Sequence, residues 1–231
     1  MKEELKHYVN LLHRVYDTGT NNHPEHNSNP DYWSILLGDI IAQKPIGWNG
    51  LDFGCGKGRN VTNLLSLTEW NRVDGVDISI DNINHNKMHY QGQKSKWYLN
   101  NGTDLSELKT DEYDFVMSTI VFQHLPVHSL RIGIFSEIAR VLKPEGIFSF
   151  QMGYGDMEWG NGHGRVNDYY ADNYGVGGSN GTDDVRVSDE KQLSDDLKKL
   201  GYEIQSVQIK NSWADGGHPE WIYVNAKLKN K

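Results

Sequence analysis

The chain has 231 residues, with 31 acidic against 23 basic side chains and a net charge of −8, a length that fits one domain around a single core. The acidic balance works against polyanionic partners such as nucleic acid or an anionic membrane surface. The lone cysteine, Cys55, excludes an intramolecular disulfide framework and a cysteine-rich zinc module; no apolar run approaches a membrane span, and the charged start MKEELKHYVN does not read as a signal peptide, so a cytoplasmic location is expected.

Leu5, Val9, Leu12 and Tyr16 recur at helical spacing between charged residues and predict an amphipathic helix over 2 to 16. After the turn-forming stretch TGTNNHPEHNSNP, Asp31 opens a second helix through Trp33, Ile35, Leu36 and Ile40. From Trp48 the pattern becomes short apolar runs alternating with helical periods. It gives a strand at 50 to 54, a helix at 58 to 68, a strand at 73 to 77, a helix at 80 to 90 and a strand at 96 to 99. YDFVMST at 113 to 119 is the next strand, followed by a helix over 127 to 142 that Lys143-Pro144-Glu145-Gly146 stops, and by IFSFQM at 147 to 152. Strands separated by helices imply a parallel, right-handed, doubly wound α/β sheet. A helix over 188 to 200, capped by Ser188 with Gly201 beyond it, and strands at 203 to 210 and 221 to 228 close the chain. Residues 153 to 187 show neither period and hold nine glycines beside Tyr154, Trp159, Tyr169, Tyr170 and Tyr174. An insertion of that length is usually functional or mobile.

LDFGCGKGRN at 51 to 60 places Gly54, Gly56 and Gly58 on the turn after the first strand of the alternating region, where ligands approach the backbone of open α/β sheets. The spacing is G-x-G-x-G, not the G-x-G-x-x-G of dinucleotide sites, and no G-x-x-x-x-G-K-[ST] phosphate cradle is present. Asp77 ends the second strand, where it can accept from two ribose hydroxyls or serve the start of the next helix. Asp104, after the third strand, suits an adenine amine or an ordinary turn. Asp52 would sit at the end of a buried strand, where an unpaired carboxylate is costly and a cationic ligand would relieve the cost. The combination suggests an adenosine that carries positive charge instead of phosphates.

These residues resemble those of the class I S-adenosylmethionine-dependent methyltransferases, strongly over about 48 to 152 and beyond that by the order of elements. Asp52, Gly54, Gly56 and Gly58 match the family's first motif, Asp77 its ribose acid and Asp104 its adenine-side acid. YDFVMSTIVFQHLP resembles its fourth-strand segment, and EIARVLKPEGIFSF its helix-turn-strand signature. The resemblance implies a Rossmann-like, mostly parallel sheet with an antiparallel closing strand. Over one domain it places a helical amino-terminal cap at 1 to 45, a cofactor-binding core at 46 to 152, a lid insertion at 153 to 187 and closing elements at 188 to 231. It implies S-adenosyl-L-methionine as cofactor, leaving as S-adenosyl-L-homocysteine, held by Asp52, Gly54, Cys55, Gly56, Asp77, Ile78, Asp104, Leu105 and Ser118. Cys55 suits packing better than nucleophilic chemistry.

A sulfonium is an activated methyl donor, so in-line positioning of acceptor, methyl carbon and sulfur supplies most of what the reaction needs, about 7 to 11 kcal/mol at best. His124, in FQHLP after strand four, is the candidate base or positioning residue, since histidine as a type titrates near neutral pH. The insertion is expected to act as a lid that contributes Tyr154, Trp159, His163 and Tyr169, with Gln123, to a small-molecule acceptor. Its acids Asp156, Glu158, Asp168, Asp172, Asp183 and Asp184 outnumber Arg165 and Arg186 and repel phosphorylated acceptors and nucleic acid. The carboxyl-terminal stretch resembles that of some small-molecule and polysaccharide-modifying methyltransferases, favours a saccharide hydroxyl, and brings His218 and Trp221 towards the pocket. His85 with His89, and His124 with His128, are four apart but lack a third ligand, so no metal is assigned. Two other readings stand: a nicotinamide-dependent oxidoreductase, disfavoured by the glycine spacing, and a non-catalytic S-adenosylmethionine-binding sensor. Methylation of protein or nucleic acid lacks a basic surface signature.

Overall fold

The first helical periods become α1 (Glu3–Tyr16) and α2 (Pro30–Leu37) in the computed structural model, which describes residues 3–16, 30–38, 46–67, 69–155, 166–172, 184–211, 218 and 220–229. Tyr8, Val9, Leu11 and Leu12 form the buried stripe of α1, as its 3.6-residue period requires. Ile40 lies outside the described residues.

The alternation then unfolds as expected: β1 (Asn49–Phe53), α3 (Arg59–Leu67), β2 (Arg72–Asp77), α4 (Ile80–His89), β3 (Trp97–Leu99), β4 (Tyr113–Ser118), α5 (His128–Val141) and β5 (Leu142–Tyr154). Two short parallel strands, β6 (Val166–Asn167) and β7 (Asp184–Val185), interrupt it before α6 (Glu190–Lys199), β8 (Tyr202–Asn211) and β9 (Glu220–Leu228). The seven-stranded sheet has the order β3-β2-β1-β4-β5-β9-β8. All neighbours from β3 to β5 are parallel, and β9 runs antiparallel to both β5 and β8. Helices cover both faces, which explains why successive residues of the central strands are buried and do not alternate with exposed ones. Val116, Phe148 and Phe150 pack with Ile134, Phe135 and Ile138 on one face. Phe115 and Met117 pack with Val61, Leu64, Tyr32 and Leu36 on the other. Strand order reverses between β1 and β4, opening a crevice at their carboxyl ends.

Both amino-terminal helices are built into this core. The Asn225 side-chain amide donates to the Ile35 carbonyl at 3.1 Å, and the Ser149 hydroxyl donates to the Leu36 carbonyl. The Tyr8 hydroxyl donates to the His124 carbonyl at 3.2 Å.

Two boundaries differ from the sequence reading. Leu142 already pairs with Tyr113, so Lys143-Pro144-Glu145-Gly146 is an irregularity within β5, with Glu145 at φ 65°, and not a turn before it. The Lys143 ammonium holds this loop to Asp114 at 2.8 Å. Helix α6 is capped by Asp189 and not by Ser188: the Asp189 carboxylate accepts from the Lys191 amide at 2.9 Å, and Gln192 reaches back to the Asp189 amide in a capping box.

Candidate active site

The glycine loop is fixed by its neighbours before any ligand is considered. The Gly54 amide donates to the Val76 carbonyl at 2.8 Å, and the residue has φ 77°. A Cβ at Gly54 would lie 2.2 Å from Val121 Cγ2, and one at Gly58 2.7 Å from Tyr90 Cε2. These positions therefore require glycine for close approach as well as for the turn. Gly56 donates its amide to Asp77 Oδ2 at 2.8 Å, which ties the loop to the end of β2.

Asp52, the last-but-one residue of β1, is wholly buried and neither carboxylate oxygen has a hydrogen-bond partner. Burial pushes its carboxyl up to about 7, against the opposing pull of the Arg59 guanidinium and the Asn60 amide. Asn60 donates to the Thr119 hydroxyl at 2.9 Å and accepts from Arg59 Nε at 3.3 Å. Tyr32 of α2 closes the group: burial pushes its phenol up to about 12, with Arg59, the Thr119 hydroxyl and Asp52 as its electrostatic neighbours. An acid, a guanidinium and neutral hydrogen-bonding groups thus meet at the crevice, and of these the sequence reading singled out only Asp52. The signal available was GRN after the glycine loop, which puts Arg59 and Asn60 on the first turn of α3. Thr119 is followed by Ile120 at φ 60°, a strained conformation for a β-branched residue, in the segment that carries Val121 to Gly54.

The other proposed cofactor residues divide. Asp77 is buried, and its Oδ1 accepts from the Ser79 amide at 2.9 Å and from Asn82 Nδ2 at 3.3 Å. Ser79, not Asp77, is the N-cap of α4. Asp77 thus ties the glycine loop and the start of α4 to the end of β2. Ile78 lies beside it with its carbonyl 3.0 Å from His13 Nδ1. The Cys55 thiol is turned into the core, where Asn86 Nδ2 approaches it at 3.7 Å and burial pushes its pKa up, so only its backbone faces the loop. The Asp104 carboxylate organises its own turn, accepting from Asn101 at 2.8 Å and from the Ser106 amide at 3.0 Å, and the Ser106 contacts lower its pKa. Leu105 is a core residue whose amide donates to Glu137 at 3.1 Å. Ser118 faces away from Asp52, because Asp52 pairs with Met117 and side chains alternate. Its hydroxyl donates to the Phe53 carbonyl at 2.9 Å, and it is Thr119 whose hydroxyl meets Asn60 beside Asp52.

His124 lies on a short 3₁₀ turn, Phe122–His124, beyond β4. Its Nδ1 is 2.8 Å from Asp184 Oδ1, and its Nε2 is 3.3 Å from Gln123 Nε2. Gln123 is buried with Oε1 unpartnered. Asp184 also lies 3.5 Å from His218 Nε2, and Arg186 Nε donates to His218 Nδ1 at 2.9 Å. Burial alone would raise the Asp184 carboxyl, but His124 and His218 outweigh it and hold it well below the usual range. The sequence places Asp184 among the acids of a lid; the structure buries it as the partner of His124. No local pattern could have shown this, since the pair is separated by 60 residues.

The remaining acceptor candidates scatter. Tyr154 ends β5 and bridges to Val187. Tyr169 is a buried core residue, under the Arg131 guanidinium at 4.5 Å from its ring centroid. Arg131, itself wholly buried, donates to the Tyr169 carbonyl at 2.6 Å and so needs that ring as cover. Trp159 and His163 lie outside the described residues, as do Asp156, Glu158, Arg165 and Asp183. Trp221 packs edge-on to His218 at 4.8 Å. The two histidine pairs serve other ends: His85 and His89 stack at 4.1 Å, while His128 turns to Asp196 at 2.8 Å and away from His124.

Sheet order, strand directions and the glycine-lined crevice are those of the class I S-adenosylmethionine-dependent methyltransferase fold. The family model described as "Methyltransferase domain" matches residues 51–150. A ubiquinone biosynthesis O-methyltransferase of Burkholderia ambifaria is 29% identical over 146 residues, covering 62% of this chain and 59% of the relative. A sterol 24-C-methyltransferase of Debaryomyces hansenii is 26% identical over 165 residues, covering 67% of this chain and 40% of the relative. The chain therefore spans less than two thirds of the length of these curated relatives. Among solved structures, a 1,6-didemethyltoxoflavin-N1-methyltransferase of Burkholderia thailandensis, with its acceptor and S-adenosylhomocysteine bound, superposes with a TM-score of 0.64 at 16% identity, covering 97% of this chain and 90% of that one. The residues present fit the cofactor of such enzymes: the fully buried Asp52 carboxylate, costly to keep ionised there, is a group that a cationic methionine end would stabilise.

Proposed function

We propose that this chain transfers the methyl group of S-adenosylmethionine to a hydroxyl oxygen of a small molecule, a saccharide being the first class to test. The contact between His124 Nδ1 and Asp184 Oδ1 at 2.8 Å carries the reading. A hydroxyl is a poor nucleophile until its proton leaves, and an imidazole held by a carboxylate on one nitrogen presents the other as a base. With Nδ1–H donating to Asp184, Nε2 faces Gln123, whose amide marks the place where an acceptor hydroxyl would donate. Asp52, Arg59 and Asn60 would hold the methionine end of the cofactor, the glycine loop would supply backbone amides, and Asp77 would take the ribose. When bound, the cofactor supplies a methyl carbon already joined to a positively charged sulfur. The protein's part is to align the acceptor, hold the proton it releases on His124 and keep water out.

The names of the relatives cite an oxygen, a carbon and a nitrogen as acceptor atoms, so the choice of oxygen rests on the His124 geometry. Calorimetric titration with S-adenosylmethionine, S-adenosylhomocysteine and NAD tests the first half. The first two are expected to bind, NAD is not, and Asp77→Ala weakens binding at least tenfold. A panel of sugars, phenols and amines with labelled methyl donor tests the second half. His124→Gln is expected to lower kcat about 10² to 10⁴-fold while leaving cofactor affinity unchanged. Transfer to amines alone, or full activity of the variant, would overturn the assignment.

A further inference from the structure

Beyond the His124–Asp184 pair, the buried contacts continue through two residues that the methyl-transfer reading does not use. Arg186 Nε donates to His218 Nδ1 at 2.9 Å. An arginine nitrogen can only donate, so His218 Nδ1 must be the acceptor and its proton must sit on Nε2. That nitrogen faces Asp184 Oδ2 at 3.5 Å, and Asp184 Oδ1 faces His124 Nδ1 at 2.8 Å. We propose that Arg186 and His218 are positioning residues that fix the proton of His124 on Nδ1, leaving Nε2 unprotonated beside the Gln123 amide, by holding Asp184 as an oriented anion.

Three further observations support the assignment. Asp184, Arg186 and His218 are all buried, so the Arg186 cation and the Asp184 anion offset one another around a neutral His218, which lowers the desolvation cost of each. Burial holds the His218 imidazole on the neutral side, against the pull of Asp184 and with a push from Arg186. Finally, the place for the His218 ring is a gap over β5: a Cβ at Gly153 would lie 2.3 Å from His218 Nδ1 and 2.6 Å from Cε1. Trp221 bounds the ring at 4.8 Å. Glycine is needed at position 153 for the approach of a ring, since no positive φ is required of it there. The base is consequently assembled from three stretches of chain, at 124, 184 to 186 and 218.

This inference rests on His124 being the base, yet it can be tested without an acceptor. Nitrogen-15 spectra of the imidazoles in the full chain report which ring nitrogen carries each proton. In the wild type, His218 is expected as the Nε2–H form and His124 as the Nδ1–H form. His218→Phe keeps a ring over Gly153 but removes the donor to Asp184, and Arg186→Ala removes the donor to His218. Each is expected to turn the His124 signals into a mixture of the two tautomers, with cofactor affinity within twofold of wild type. Gly153→Ala removes no charged or titratable group but displaces the His218 ring, and is expected to give the same change. A His124 proton on Nε2 in the wild type, or His124 signals identical in all folded variants, would overturn the proposal. If the tautomers are as expected but no acceptor is methylated, the relay stands and the methyl-transfer reading is the one that fails.

Discussion

Asp52 joins the two demands made on one side chain, folding and binding. A carboxyl that titrates near 3.8 when unfolded and at about 7 when folded holds a proton in the native state that the unfolded chain releases. Stability without cofactor therefore falls as pH rises from about 4 to about 7, with an upper limit on the order of 4 kcal/mol for three pKa units. Asp52→Asn removes that dependence. In the absence of cofactor the thermal midpoint of the variant is expected to exceed that of the wild type, by a margin that grows between pH 5 and pH 8. Its affinity for S-adenosylmethionine should fall at least tenfold, because the neutral amide cannot balance a cation. A margin that shrinks with rising pH in thermal scans would contradict the account. The positions of Asp52, Asp77 and His124 at or just beyond the carboxyl ends of strands were legible, because the strands that carry them are recognisable by pattern. Ser118 and Thr119 point to opposite faces, since a one-residue difference decides which face of β4 a side chain occupies.

At the scale of elements, boundaries follow local hydrogen bonds more finely than periodicity does. Ser188 and Asp189 both suit an N-cap, and the choice fell to Asp189 because Gln192 stands three residues on and completes the capping box. Asp189→Ala is expected to cost about 1 kcal/mol and to lower the thermal midpoint by about 2 to 4 °C, the scale for a chain of this size. Ser188→Ala, at a residue that donates to the Gln192 side chain instead of capping, should change it by less than half as much. Pro144 and Gly146 read as an ending, and the chain does loop there. The ladder nevertheless resumes on the same partner strand, Tyr113 facing Leu142 and Phe115 facing Ile147. Pairing across a looped-out segment depends on β4, which no window around Pro144 contains.

For the whole molecule, the amino-terminal helices belong to the domain and do not stand apart from it. Tyr8 and Leu12 pack on Val127 and Leu130, while Tyr32 and Leu36 close the crevice face of the sheet. A chain beginning at residue 46 is expected to lose its cooperative thermal transition and its cofactor binding, since both would expose large apolar faces of β5, β9 and α5. A sharp transition and unchanged affinity in the truncated chain would show these helices to be dispensable. Among the described residues no helix is long and apolar enough to cross a membrane.

The sequence by itself determined the order of strands and helices, the turn that must be glycine-rich, and the acids near the carboxyl ends of β1 and β2. These are properties of local period and of residues whose conformational demands do not depend on context. The tertiary structure alone decided which acid meets which histidine. Asp184 stands in a stretch without period, and its role comes from β7 lying against the turn that carries His124. Likewise Tyr169 became a core residue because a buried arginine needed its ring and carbonyl. Contacts between residues tens of positions apart are set by how the sheet brings loops together at one edge, and side-chain chemistry at that edge is a consequence of the fold and not of any local pattern.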